Sequence, residues 1–143
     1  MRSKTLVILF GLFTTLATPP LVLRAQDDPR MSYLDMDTYE GVPYLSGGIG
    51  LEERAYITNT LAADYNLKLE LAASNGDYVS DVDVQIRDAG GRTVLHTTAQ
   101  GPWLFARLSP GRYTVEAMAE GRGSTKSVAI GTAGTSRLVF RAW

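Results

Sequence analysis

From Asn66 to the C-terminus, apolar and polar residues alternate with a period of two. In "NLKLELAA", Leu67, Leu69 and Leu71 share one side, and Lys68 and Glu70 share the other. "DVDVQIRD" repeats the arrangement, with Val82, Val84 and Ile86 inward and Asp83, Gln85 and Arg87 outward. A strand buried on one face requires this pattern, because successive side chains leave opposite faces of the pleat. "AGG" at 89–91 supplies the reversal into "RTVLHTT", and "PWLFARL", "RYTVEAMAE", "STKSVAI" and "RLVFRAW" follow. Seven short strands, about 8–15 residues apart and punctuated by Gly, Pro or Asn, leave no room for crossover helices. They predict an all-β fold, an antiparallel sandwich or barrel.

Before residue 66 the period changes. Residues 46–63, "SGGIGLEERAYITNTLAA", read as a glycine-rich turn followed by one short helix. Glu52 and Glu53 suit the positive end of that helix, and Leu51, Ala55, Thr58 and Ala62 fall roughly on one face. Residues 26–45, "QDDPRMSYLDMDTYEGVPYL", show no steady period and are expected to form an irregular lead, strapped across the domain by Tyr33, Leu34, Tyr39 and Tyr44. Residues 1–25 read as an export signal: Arg2 and Lys4, then the uncharged "TLVILFGLFTTLA", then Pro19 and Pro20. Cleavage after Ala25 is favoured, although Leu23 is large for the −3 position, and Ala17 is the competing site. The apolar run falls short of the ~20 residues of a membrane span, so the mature chain is expected to be exported, periplasmic or secreted, and not membrane-spanning.

Charge narrows the partners. The leader holds three cations and no acid, so its loss takes the formal net charge from −1 to −4. A polyanion would want a clustered basic face, so no nucleic-acid partner is expected. The chain has no cysteine, which rules out a disulfide framework, a thiolate metal site and a cysteine nucleophile.

The stretch "LSPGRYTV" at 108–115 reads as a tight turn feeding an alternating strand. Pro110 pre-sets φ for the second turn position, and Gly111 is expected to take the positive φ of the third. Tyr113, Val115 and Ala117 then alternate with Thr114, Glu116 and Met118, and a one-residue slip would turn the first set into water.

"GPWLFARLSPGRYTVEA" resembles the signature of carboxypeptidase regulatory-like domains, and more broadly of prealbumin (transthyretin-like) sandwiches and collagen-adhesin B-type repeats. Gly101, Trp103, Phe105, Leu108, Pro110, Gly111, Tyr113 and Val115 occupy the places of that pattern. The resemblance extends to "VDVQIRDAGGRTVLHTT" and spans residues 66–143. It implies a seven-stranded antiparallel Greek-key sandwich, here preceded by one short helix, and a non-catalytic accessory role. Within it Trp103 is expected in the core, with Phe105 and Tyr113 as neighbours. The layout is also similar to small exported bacterial proteins that carry this module alone, a group with no settled activity.

The chemistry of related enzymes finds no residues here. A zinc carboxypeptidase needs at least two histidines and a carboxylate on the metal, and this chain has only His96. Hydrolysis of 5-hydroxyisourate in transthyretin-like enzymes rests on several histidines and a terminal Tyr-Arg-Gly-Ser, whereas this chain ends Phe140-Arg141-Ala142-Trp143. His96 is read as a surface residue beside an inward Leu95. "DMDTYEGVPYLS" from Asp35 begins like a calcium loop but places Tyr39 fifth and Ser46 twelfth, where oxygen ligands belong. "GGIG" at 47–50 lacks the strand–helix setting of a nucleotide loop. An internal Lys–Asn amide bond, as in the adhesin repeats, is disfavoured because Lys68 is out of phase and the last strand has no asparagine. Arg137 and Arg141 likewise break the apolar alternation of a membrane barrel's final strand.

No catalytic residue, metal or cofactor is therefore expected. The reading is an exported, non-enzymatic module for protein interaction or assembly in the envelope. Gly47, Gly48, Gly50, Glu52, Glu53, Arg54 and Trp143 are its candidate interaction residues. The alternative is a glycan-binding module using exposed aromatics such as Trp143 or Tyr44.

Overall fold

The computed structural model describes residues 34–141 and 143. The leader and residues 26–33 of the lead, Tyr33 included, lie outside them. The fold is all-β: nine strands in two sheets, with one short helical segment.

The seven strands expected from the alternation are present as β3 (Leu67–Ala72), β4 (Val82–Asp88), β5 (Thr93–Ala99), β6 (Trp103–Ala106), β7 (Gly111–Ala119), β8 (Arg122–Ile130) and β9 (Ser136–Arg141). Two more come from the segment expected to be irregular. β1 (Asp35–Tyr39) and β2 (Val42–Gly47) form a hairpin, joined by Glu40 and Gly41 with φ of 46° and 88°. Two consecutive positive φ values match the twist of a two-residue hairpin. Glu-Gly is a weaker signal for it than Asn-Gly, and Pro43 inside β2 argues against a strand from sequence. Pro43 fits because its carbonyl, the one polar group it has, accepts from the Arg107 N–H at 3.0 Å.

One sheet runs β1-β2-β6-β3-β9 and the other β5-β4-β7-β8. Every pairing is antiparallel except β3–β9, which is parallel, contrary to the purely antiparallel expectation. The cause is the link after β8: the chain leaves the second sheet there and enters β9 beside β3 in the same direction.

The inner faces of the two sheets share one core. Leu67, Leu69, Leu71, Val82, Val84, Ile86, Leu95, Leu104, Val115, Ala117 and Phe140 are all essentially sealed from water. Each fully buried side chain of this size contributes about 1.5–3 kcal/mol. Tyr113, Val115 and Ala117 are all buried, so a one-residue slip of β7 would turn them into water. Gly111, however, sits at φ 159°, an extended value rather than that of a tight turn's third position. Two side chains hold the corner instead. The Tyr113 hydroxyl donates to the Ser109 carbonyl at 2.8 Å. Asn66 clamps the far side, its amide accepting from Leu108 N–H at 2.9 Å and donating to Leu108 O at 2.7 Å.

A second, smaller apolar cluster lies on the outer side of the five-stranded sheet. It contains Leu34, Leu45, Ile57 and Phe105, with Tyr56, Leu61, Tyr65 and Trp103 at its margin. The helical segment covering it is α1 (Leu51–Tyr56), widened to π-helical turns over Ile57–Leu61 and closed by a 3₁₀ turn at Ala62–Asp64. Among the described residues, no helix is long and apolar enough to cross a membrane.

Candidate interaction surface

Strand alternation puts Leu104 and Ala106 of β6 in the inner core and Trp103 and Phe105 on the opposite face. Trp103 therefore packs edge-on against Phe105, ring centres 6.1 Å apart, and away from Tyr113, which belongs to the inner core. The expectation of a core Trp103 beside Tyr113 is corrected on this point. The outer face of the five-stranded sheet needs its own cover once two aromatics stand on it, and the helical segment supplies that cover.

The seat of α1 is made by three glycines and an acid. Glu53 is 1% exposed, and its Oε1 accepts from the N–H groups of Gly48 at 2.5 Å and Ile49 at 3.3 Å. This resembles a capping box displaced one to two residues upstream, an acidic side chain reaching back to donors ahead of the helix. A Cβ on Gly47 would lie 2.5 Å from the same Oε1, and one on Gly48 would lie 2.9 Å from the Trp103 ring, at φ +91°. A Cβ on Gly101 would collide with the Gly47 backbone. The Gly47–Gly48 pair is thus a close-approach device, with carboxylate and indole occupying space that any side chain would claim. Among the described residues, Oε2 of Glu53 is the buried side-chain polar atom without a partner.

Glu53 also sets the rotation of the helix. With Glu53 and Ile57 drawn inward, the face expected to be apolar turns outward: Leu51 is 83% exposed, and Ala55 and Thr58 are exposed with it. The hydrogen bonds of a buried carboxyl outweighed the apolar periodicity of a segment only a few turns long.

Arg54 emerges next to this seat. Its Nε donates to the Gly48 carbonyl at 2.6 Å, and its guanidinium lies 4.2 Å from the Tyr78 ring centre and 5.5 Å from that of Trp103. Lys68 Nζ sits 3.7 Å over the Trp103 ring and 3.0 Å from Glu70. Arg137 from β9 completes the row by bonding Glu70. Burial pushes the Glu70 carboxyl up, but hydrogen bonds from Arg137 and Lys68 more than reverse this and hold it below the ordinary value. The outcome is a surface row of Tyr78, Arg54, Trp103, Lys68, Glu70 and Arg137, in which Tyr78 is 55% exposed and Leu51 stands one helical turn from Arg54.

Among the sequence candidates, Arg54 is in this row, while Gly50 and Glu52 lie exposed beside it. Gly47, Gly48 and Glu53 are buried and act as its support, not as contact residues. Trp143 is elsewhere, half-buried against the inner core with its indole N–H donating to Arg122 O at 2.8 Å. Tyr44 is buried in the inner core. Tyr78, Lys68 and Arg137 carried no interaction signal in the sequence, because three separate strands and loops bring them together.

His96 is exposed on the open face of the four-stranded sheet, its Nε2 2.9 Å from Asp83 Oδ1. Gln85, Arg87 and Glu116 surround the pair, and no Ser or Cys joins them in that depression. Among the described residues, no group of three or more His, Cys, Asp or Glu could hold a metal ion. Compared with known proteins, the chain matches no family model, and no curated protein matches it.

Proposed function

We propose that this chain is an exported, non-catalytic interaction module that docks a protein partner through the Leu51–Arg54–Tyr78–Trp103 surface. The fold reading that goes with it is a carboxypeptidase regulatory-like, prealbumin-type Greek-key module, to which the β1–β2 hairpin has been added, released into the periplasm by cleavage of residues 1–25.

The observation that carries the reading is the composition and rigidity of that surface. Tyr, Trp and Arg are the residues that dominate protein–protein hot spots, where they act as large anchors with few freedoms to lose. Here Arg54 is already stacked on Tyr78 and bonded to Gly48, so docking orders little that is not ordered before. An exposed leucine beside them adds an apolar anchor. Arg54, Lys68 and Arg137 stand against Glu70 and the flanking Glu52, so the surface carries a small positive excess on an acidic chain and favours a partner carrying acidic groups. The glycan alternative draws no support from Tyr44 and Trp143, which the fold uses internally.

The test is photo-crosslinking in intact cells from residue 78 and, as a control, from the exposed Met118 on the central strand β7 of the opposite sheet. A discrete protein adduct from position 78, absent from position 118 and lost in Arg54→Glu, is expected. Equal adducts from both positions, or none from 78, would overturn the reading.

A further inference from the structure

The four edge strands carry a pattern that the interaction surface does not use. Five strands paired wholly antiparallel would begin and end in the same direction. The parallel β3–β9 pair inverts this, so β1 and β9 at the two edges of the five-stranded sheet run in opposite directions. In the four-stranded sheet, β5 and β8 are opposed as well. β8 and β9 meet at one side of the sandwich, and β1 and β2 meet β5 at the other. A second copy displaced along the sheets therefore offers an antiparallel partner to both edges at once, β1 beside β9 and β5 beside β8.

The charges at these two sides are opposite. Asp35 and Asp37 of β1 are in register with Ser46 and Tyr44 of β2, and Tyr44 faces the inner core. Both acids consequently point to the inner side of the edge. Burial, and then the neighbouring Asp37 charge, push the Asp35 carboxyl above its ordinary value. At the other side Lys126 of β8 is in register with the fully buried Val115 and points inward, its Nζ 5.7 Å from the Phe140 ring centre. A charge aimed inward on an edge strand ordinarily bars pairing, because joining would bury it without a counter-charge. Here each side carries the counter-charge that the other lacks. Arg141 adds to the positive side on the outer face of β9. The exposed Met36 of β1 points to the outer face of its edge, as Val139 does on β9.

We infer that the chain associates head to tail with further copies of itself, the Asp35–Asp37 edge of one copy pairing with the Lys126 edge of the next and β1 extending the sheet at β9. Such a contact joins two different surfaces, so it propagates rather than closing as a two-fold dimer. It depends on charge and weakens with salt.

The test is the mass of the purified, cell-processed protein by sedimentation across concentration and salt. Wild type is expected to grow beyond dimers with concentration and to return to monomer in high salt. Asp37→Lys and Lys126→Asp, both at exposed positions, are each expected to weaken association tenfold or more while far-ultraviolet spectra stay unchanged. Mixed in equal amounts, they should associate again beyond the dimer, because the unchanged edge of each meets the unchanged edge of the other and the two reversed edges are complementary as well. A wild type or a mixture that stays monomeric or stops at dimers, or variants that associate as wild type does, would overturn the inference. The crosslink from residue 78 is read separately in Asp37→Lys, so the two surfaces are judged independently.

Discussion

The two apolar clusters on either side of the five-stranded sheet are built by different rules. The inner one is made by strand alternation: Leu67, Leu69 and Leu71 meet Val82, Val84 and Ile86 across the sandwich, and each residue's place follows from its parity. The outer one is made by close approach. Leu45, Ile57 and Phe105 are covered because Gly47 and Gly48 let a buried carboxylate and an indole reach the backbone. The inner cluster tolerates a conservative change of shape, since many neighbours share the strain. The outer one depends on a few contacts that have no slack. Its helix is short and tied to the preceding loop chiefly by Glu53 and Arg54, so it is expected to open first.

The largest expected effect lies in the inner cluster. Leu69→Ala removes a fully buried side chain between the sheets and should cost about 2–5 kcal/mol. Urea unfolding should remain a single transition at a lower midpoint, because loss of the sandwich takes the outer layer with it. Next comes Gly47→Ala, whose methyl must displace the Glu53 carboxylate. It should cost about 1–3 kcal/mol, as for other overpacked sites, and the loss should be confined to the outer layer. In a Trp143→Phe background, Trp103 emission should then shift at lower urea than the far-ultraviolet signal; coincident transitions would show that the layers are not separable.

Smaller still is Tyr113→Phe, which removes the bond to Ser109 O and should cost about 0.5–1.5 kcal/mol in the global transition. It should leave the outer layer's behaviour unchanged. The smallest effect is that of acid. Glu70 is held below its ordinary value of 4.5 by Arg137 and Lys68 despite partial burial. A depressed carboxyl stabilises the fold at pH above the unfolded value, and that contribution fades as pH falls through the folded one. Glu70→Gln should flatten the acid side of the stability profile by a small margin, since the site is near the surface. An unchanged acid limb would remove Glu70 from the account.

How much of this was legible in the sequence follows from the same contrast. β3 to β9 were readable because their side-chain parity is uniform and one face is buried. The β1–β2 hairpin was not, because Glu-Gly is an uncommon turn pair, Pro43 interrupts the pattern, and inward Asp35 and Asp37 break the alternation at an edge. The parallel partner of β9 could not be read either, since strand order is set by where the chain crosses between sheets. "GGIG" and the acids of α1 stand outside the strand alternation in the sequence, and in the fold Gly47, Gly48 and Glu53 seat α1 against the outer face of the five-stranded sheet. The roles within it were not readable. Glu53 became support rather than contact, and Leu51 turned outward, because one buried carboxylate outweighed a weak apolar stripe. Tyr78 and Arg137 join Arg54 and Trp103 only through tertiary folding.

The separateness of the two layers is tested most directly by residue-resolved amide exchange of the wild-type protein in increasing, sub-denaturing urea. Amides of residues 51–64 are expected to exchange through an opening that leaves β4 and β7 protected, with a lower free energy than global unfolding. A single common opening energy for residues 51–64, β4 and β7 would contradict it.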